Sequence, residues 1–149
     1  MTAYVSFSSK ITQATSENLI SIFADQANNG GIEVCLLIST PGGSVTFGIN
    51  LYNLLRAFPF RLVTHNVGVV GSVGTAVFLA GEERYASPHS KFDFTSGGID
   101  FEGKDLRQER GVREHLRSIL GAQAKIGEIV DEQTKLDESQ IGNIFREAT

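Results

Sequence analysis

The sequence predicts an α/β fold of repeated strand–helix units, with a long helix toward the C-terminal end. Three observations point there. Short apolar runs begin near residues 3, 32 and 61, a period of 29. Stretches of helical periodicity separate them. Each connection is then a crossover helix, which requires parallel pairing of the strands it joins.

Residues 3–8 read as the first strand. A helix follows, capped by Thr15 with Glu17 in its first turn, and Leu19, Ile22, Phe23 and Ala27 recur along it at helical spacing. Asn28-Asn29-Gly30-Gly31 ends it, because Asn and Gly accept the left-handed cap. Residues 32–38 are apolar apart from Glu33, which predicts a strand buried on both faces. Pro41-Gly42-Gly43 is a turn into a helix over 44–57, with Val45, Ile49, Tyr52 and Leu55 along one side. Pro59 breaks the chain. Residues 61–67 form the next strand, Gly68 to Gly74 a second glycine-rich turn, and 72–80 a helix ending at Gly81. Short strands over 84–87 and 91–95 flank Pro88.

Residues 104–133 read as one long helix, with Leu106, Leu116, Ile119, Leu120, Ile126, Ile129 and Val130 forming an apolar seam. Its glycines at 111, 121 and 127 weaken it or allow close packing. A seam running past a small domain is exposed in a monomer, which predicts a contact between subunits. Asp137 with Gln140 marks the start of a last helix over 138–147. No linker or low-complexity stretch interrupts the 149 residues, so a single domain is expected, with a head over about 1–103 and two helices over 104–149.

Composition narrows the function. A net charge of −4, with the densest basic run (107–117) interleaved with glutamates, argues against a nucleic-acid groove. The single cysteine, Cys35, excludes an internal disulfide and lies in an apolar run, as a buried thiol does. No Cys/His cluster has zinc-ligand spacing, and no cofactor motif is present. No signal-peptide profile and no bilayer-spanning run are found, which makes a cytoplasmic location the default.

The two glycine-rich turns carry the chemistry. Each follows a strand and opens a helix, so both would lie at the C-terminal ends of neighbouring parallel strands, where open α/β sheets bind ligands. Backbone amides from two such turns can form an oxyanion hole beside Ser72. Neither turn ends in the Gly-Lys-Ser/Thr of a phosphate-binding loop. A serine at a helix start is also an ordinary helix cap. Both readings of Ser72, nucleophile and cap, stand at this level.

Ser39-Thr40-Pro41-Gly42-Gly43 and Gly68-Val69-Val70-Gly71-Ser72-Val73-Gly74, in this order and spacing, resemble the two motifs of the Clp protease proteolytic-subunit family. The resemblance runs from about Tyr4 to Ser139. It implies a crotonase-like fold and a serine peptidase, with Ser72 as nucleophile and the amides of Gly43 and Val73 as oxyanion hole. It places the family's histidine at Thr95 and its acid at Ile144. A threonine hydroxyl is no useful base, so the triad is expected to be incomplete.

Asp93, on the strand face of Thr95, and His89 are the alternative bases. His65 and His115 are expected to pack or face solvent, and Lys91, Lys104 or Lys125 would need desolvation to serve. The family's N-terminal segment, which gates the pore and docks an ATPase, and its closing stretch of strands are both expected and neither is found. That lowers the expectation of an ATP-dependent protease. The resemblance further implies a homo-oligomeric or mixed ring acting on peptide or unfolded-protein substrate, with an AAA+ ATPase partner in doubt. Three functions follow: a peptidase homologue with weak or no hydrolysis, a non-catalytic structural subunit of a protease ring, and a crotonase-type acyl-thioester binder or lyase.

Overall fold

The computed structural model describes residues 1–93 and 124–134. Strand β1 (Thr2–Ser8), helix α1 (Gln13–Asn28), β2 (Glu33–Thr40), α2 (Val45–Ala57), β3 (Arg61–Gly71), α3 (Gly74–Leu79), β4 (Glu83–Ala86) and β5 (Lys91–Asp93) follow in order. Residues 124–133 are helical. The strands pair in parallel in the order β1-β2-β3-β4, and β5 pairs with β3 beyond the end of β4.

This order explains the layering. The chain steps from β1 to β2 to β3 in one direction, and right-handed crossovers then put α1 and α2 on the same face of the sheet. Leu19 and Phe23 of α1 and Leu51 and Leu55 of α2 form one core with Val5, Phe7, Val34, Leu36, Ile38 and Leu62. Phe23, Phe58 and Phe60 cluster beneath, with the Phe58 and Phe60 rings stacked 5.3 Å apart. The opposite face carries Tyr4, Glu33, Cys35, Arg61, His65 and Tyr85 around a hollow of about 370 Å³. The expectation that β2 is buried on both faces is therefore corrected. Glu33, Leu37 and Ser39 are only half-buried, although Cys35 is buried as expected. Among the described residues the helices cover one side of the sheet, and a sheet so covered alternates.

Other boundaries shift for local reasons. The cap of α1 is Thr12, not Thr15. Thr15 is the reciprocal partner in a capping box: the Thr12 hydroxyl accepts from Thr15 N–H, and the Thr15 hydroxyl accepts from Thr12 N–H. Ile22 is exposed, and the left-handed residue after α1 is Gly30 rather than an asparagine. Ser44 caps α2, whose most buried residue is Leu51, between the positions expected. β3 continues through residues 68–71, where a turn was expected. Of the long helix, the described part is not an exposed seam. Ile126, Ile129 and Val130 are buried in the core, and Gln133 Nε2 donates to the Tyr52 hydroxyl at 2.9 Å. The remainder of that helix and the helix expected over 138–147 lie outside the described residues.

Candidate active site

The two glycine turns, at the ends of β2 and β3, meet. Gly42 has φ +105° and Gly43 φ +143°. A methyl group on Gly42 would stand 2.7 Å from Ser72 Cβ and 2.9 Å from the Gly71 carbonyl oxygen, and one on Gly43 would strike the Ile11 carbonyl. Only glycine supplies both the space and the backbone angle there. The loop after β1 locks the turn in place. Ile11 N–H donates to Gly42 O, and Ser44 N–H donates to Ile11 O, each at 2.8 Å.

Thr40 joins the two turns from below. Its buried hydroxyl accepts from Gly42 N–H at 3.1 Å. Its methyl group leaves only 2.6 Å for a side chain at Gly74. Ser39 does the same for the strand. β3 spends four steps, Asn66 to Val70, where β2 spends two, Ile38 to Thr40. The Ser39 hydroxyl accepts from Val69 N–H at 3.2 Å inside that bulge. Bulges of this kind re-aim the residues that follow.

Ser72 lies between the end of β3 and the start of α3, with φ +50°. It is the one non-glycine residue of positive φ among the described residues. The left-handed conformation costs about 1–2 kcal/mol at a residue carrying Cβ. Ser72 does not cap α3. Val73 holds the N-cap position, with no side-chain cap bond, and only the main-chain carbonyl of Ser72 accepts from Thr75 N–H. The half-buried Ser72 hydroxyl has no hydrogen-bond partner among the described residues. Gly43 N–H and Val73 N–H likewise have no acceptor there. One hydroxyl and two donors thus share the meeting point of the turns.

The alternative bases are placed unequally. Asp93 is half-buried at the end of β5, opposite Gly71, and its main-chain carbonyl accepts from Ser72 N–H at 3.2 Å. His89 is exposed in the turn before β5 and makes no hydrogen bond to Ser72. His65 Nε2 is 3.0 Å from Ser87 Oγ, its ring lies 6.0 Å from that of Tyr85, and it lines the hollow on the face opposite α1 and α2. Lys91 and Lys125 are exposed. Thr95, Lys104, His115 and Ile144 lie outside the described residues. Among the described residues no group of three His, Cys, Asp or Glu side chains could hold a metal, and no helix is long and apolar enough to cross a membrane. Burial, with a smaller contribution from Glu33, pushes the Cys35 thiol up from its ordinary range.

Thr40 and Asn66 were not singled out by sequence reasoning. The signal for Thr40 was its place before Pro-Gly-Gly; for Asn66 it was a carboxamide inside an otherwise apolar strand.

Fold and site define a parallel α/β protein of strand–helix units with a serine at a strand-to-helix elbow beside a glycine turn. The family model described as Clp protease matches residues 1–147, and the chain belongs to that family of serine proteases. A relative, the ATP-dependent Clp protease proteolytic subunit 2 of Thermobifida fusca, is 35% identical over 79 residues, 50% of this chain and 39% of the relative. The alignment thus spans well under half of that relative's length. Two solved structures of ClpP1 from Listeria monocytogenes share the fold. A point mutant matches with a TM-score of 0.79 at 17% identity, over 94% of this chain and 77% of the other. The second has a TM-score of 0.76 at 19% identity, over 94% and 76%.

Proposed function

We propose that the chain is a Clp-type serine peptidase homologue with Ser72 as nucleophile and an incomplete triad. Ser72 Oγ attacks a peptide carbonyl carbon while its proton passes to solvent water, and the carbonyl oxygen takes the negative charge. The Gly43 and Val73 amides donate to that oxygen. The C–N bond then breaks, the amine leaves with a proton from solvent water, and water later releases the acyl group. One observation carries this reading: a serine hydroxyl without a hydrogen-bond partner among the described residues, held at φ +50° against Gly42. A packing turn would be relieved by glycine at this position, so the strain supports a role for the hydroxyl.

Hydrolysis is weak in this reading, because Thr95 stands where the family resemblance puts the base. A site lacking its base retains about 10³–10⁴-fold acceleration over water from binding and the oxyanion hole. The substrate is an extended peptide or unfolded chain, and the protein works as one subunit of a homo-oligomeric or mixed ring in the cytoplasm.

Fluorophosphonate labelling of the assembled protein, read by intact mass and peptide mapping, tests the reading. A single adduct on Ser72, absent in Ser72→Ala, is expected. No adduct on folded, assembled protein would sink the nucleophile and leave the structural subunit.

A further inference from the structure

We infer that Asn66 is a positioning residue for Ser72, an inference that rests on the nucleophile reading above. Asn66 is fully buried in β3 at the point where its edge pairing is interrupted. β4 leaves β3 at Ala86, opposite Asn66, and β5 rejoins at Lys91, opposite Val69. The Ser87–Ser90 turn fills the gap.

Asn66 spans this gap with three hydrogen bonds. Its main-chain carbonyl accepts from Ser87 N–H at 2.9 Å. Its side-chain Nδ2 donates to the Lys91 carbonyl at 2.9 Å. Its Oδ1 accepts from Gly68 N–H at 3.1 Å, within the bulge of β3. The partners are one carbonyl and one amide, so the carboxamide has a single satisfying orientation. Two residues beyond Lys91, the Asp93 carbonyl holds Ser72 N–H. One side chain therefore ties the bulge that leads into Ser72 to the strand that grips Ser72. It touches neither the hydroxyl nor the oxyanion amides.

The chemistry of this tie makes it testable. Aspartate has the same shape and keeps the acceptor for Gly68. Ionised, it has no donor for Lys91 O; protonated, it regains one. Buried, its carboxyl titrates above the ordinary carboxylate range.

The experiment compares Asn66→Asp with the wild type in fluorophosphonate labelling of Ser72 across pH, resolving kinact from KI. Hydrogen exchange of residues 87–93 is followed in parallel. Relative to wild type at each pH, kinact is expected to fall about tenfold to a hundredfold where the carboxyl is ionised. It recovers toward wild type at acid pH, with KI unchanged. Exchange over 87–93 quickens in the same range. Asn66→Ser, uncharged and too short to reach both partners, serves if Asn66→Asp does not fold, and shows both effects without the pH dependence.

A kinact ratio near one at every pH, or unchanged exchange over 87–93, overturns the inference. If the wild type itself takes no label, the nucleophile reading fails and the claim on Ser72 reactivity falls with it. Exchange alone then decides whether Asn66 holds β5.

Discussion

The two glycine-rich turns occupy equivalent places at the ends of β2 and β3, yet solve the backbone problem differently. In the first, glycines take the positive φ angles, at Gly42 and Gly43. In the second, the positive φ falls on Ser72, although Gly71 and Gly74 stand close by on either side. The first turn is shaped by what must fit against it. The second holds a hydroxyl in a conformation that a serine resists. Shape alone accounts for the first turn and not for the second.

The comparison is broken most severely at the first turn. In Gly42→Ala the new Cβ meets Ser72 Cβ and the Gly71 carbonyl, and neither can swing aside. Overpacking together with the positive φ should cost about 3 kcal/mol. The thermal midpoint should fall by about 10 °C, and Ser72 labelling should be lost. A midpoint within a degree or two of wild type would mean that the turns are not in contact.

At the second turn the sign reverses. Ser72→Gly should stabilise the fold by about 1 kcal/mol, by releasing the left-handed strain, whereas Ser72→Ala keeps the strain. Calorimetry of the two variants, both unable to take label, separates strain from chemistry. Equal midpoints would remove the strain argument.

Thr40 sharpens the comparison, since it touches both turns. Thr40→Val keeps the methyl group against Gly74 and leaves Gly42 N–H without its acceptor. A loss of about 1–2 kcal/mol is expected, with Thr40→Ser retaining the hydrogen bond. Urea unfolding of the pair measures it.

The smallest effect is expected at the opposite ends of the same strands. Arg61 bridges Glu33, at 2.7 Å, and Glu83, and all three side chains are partly open to solvent. Bonds from the Thr2 hydroxyl and then Arg61 hold the Glu33 carboxyl below its ordinary pKa of 4.5. The Tyr85 hydroxyl and then Arg61 do the same for Glu83. Depressed carboxylates stabilise above their unfolded pKa and lose that contribution as pH falls through the folded value. The contribution should therefore be present at neutral pH and fade below about pH 4.5, being small throughout because the groups are open to solvent and screened. Arg61→Ala should shift the neutral-pH midpoint slightly and leave Ser72 labelling unchanged. A change in labelling would mean that the two ends of the sheet are coupled.

Much of this molecule was legible along the chain. The strand period, the crossovers and the two glycine turns are local patterns, since apolar periodicity and glycine act over a few residues. Burial was less legible. β2 looked buried on both faces because its composition is apolar, whereas the one-directional strand order puts α1 and α2 on the same face. The apolar seam of the long helix looked exposed, yet Ile126, Ile129 and Val130 close the core. A seam does not specify its partner.

By itself, the sequence determined the repeated strand–helix architecture and the meeting of the Gly42–Gly43 turn with Ser72, because parallel neighbours place their ends side by side. The tertiary structure alone decided the φ of Ser72, the two-residue bulge before it, and the grip of Ser39, Thr40 and Asn66 on the turns. The grip of Ser39 and Asn66 depends on hydrogen bonds between residues 30 and 25 positions apart, and that of Thr40 on its methyl contact with Gly74; no local pattern in a single chain encodes which distant group a buried side chain will find.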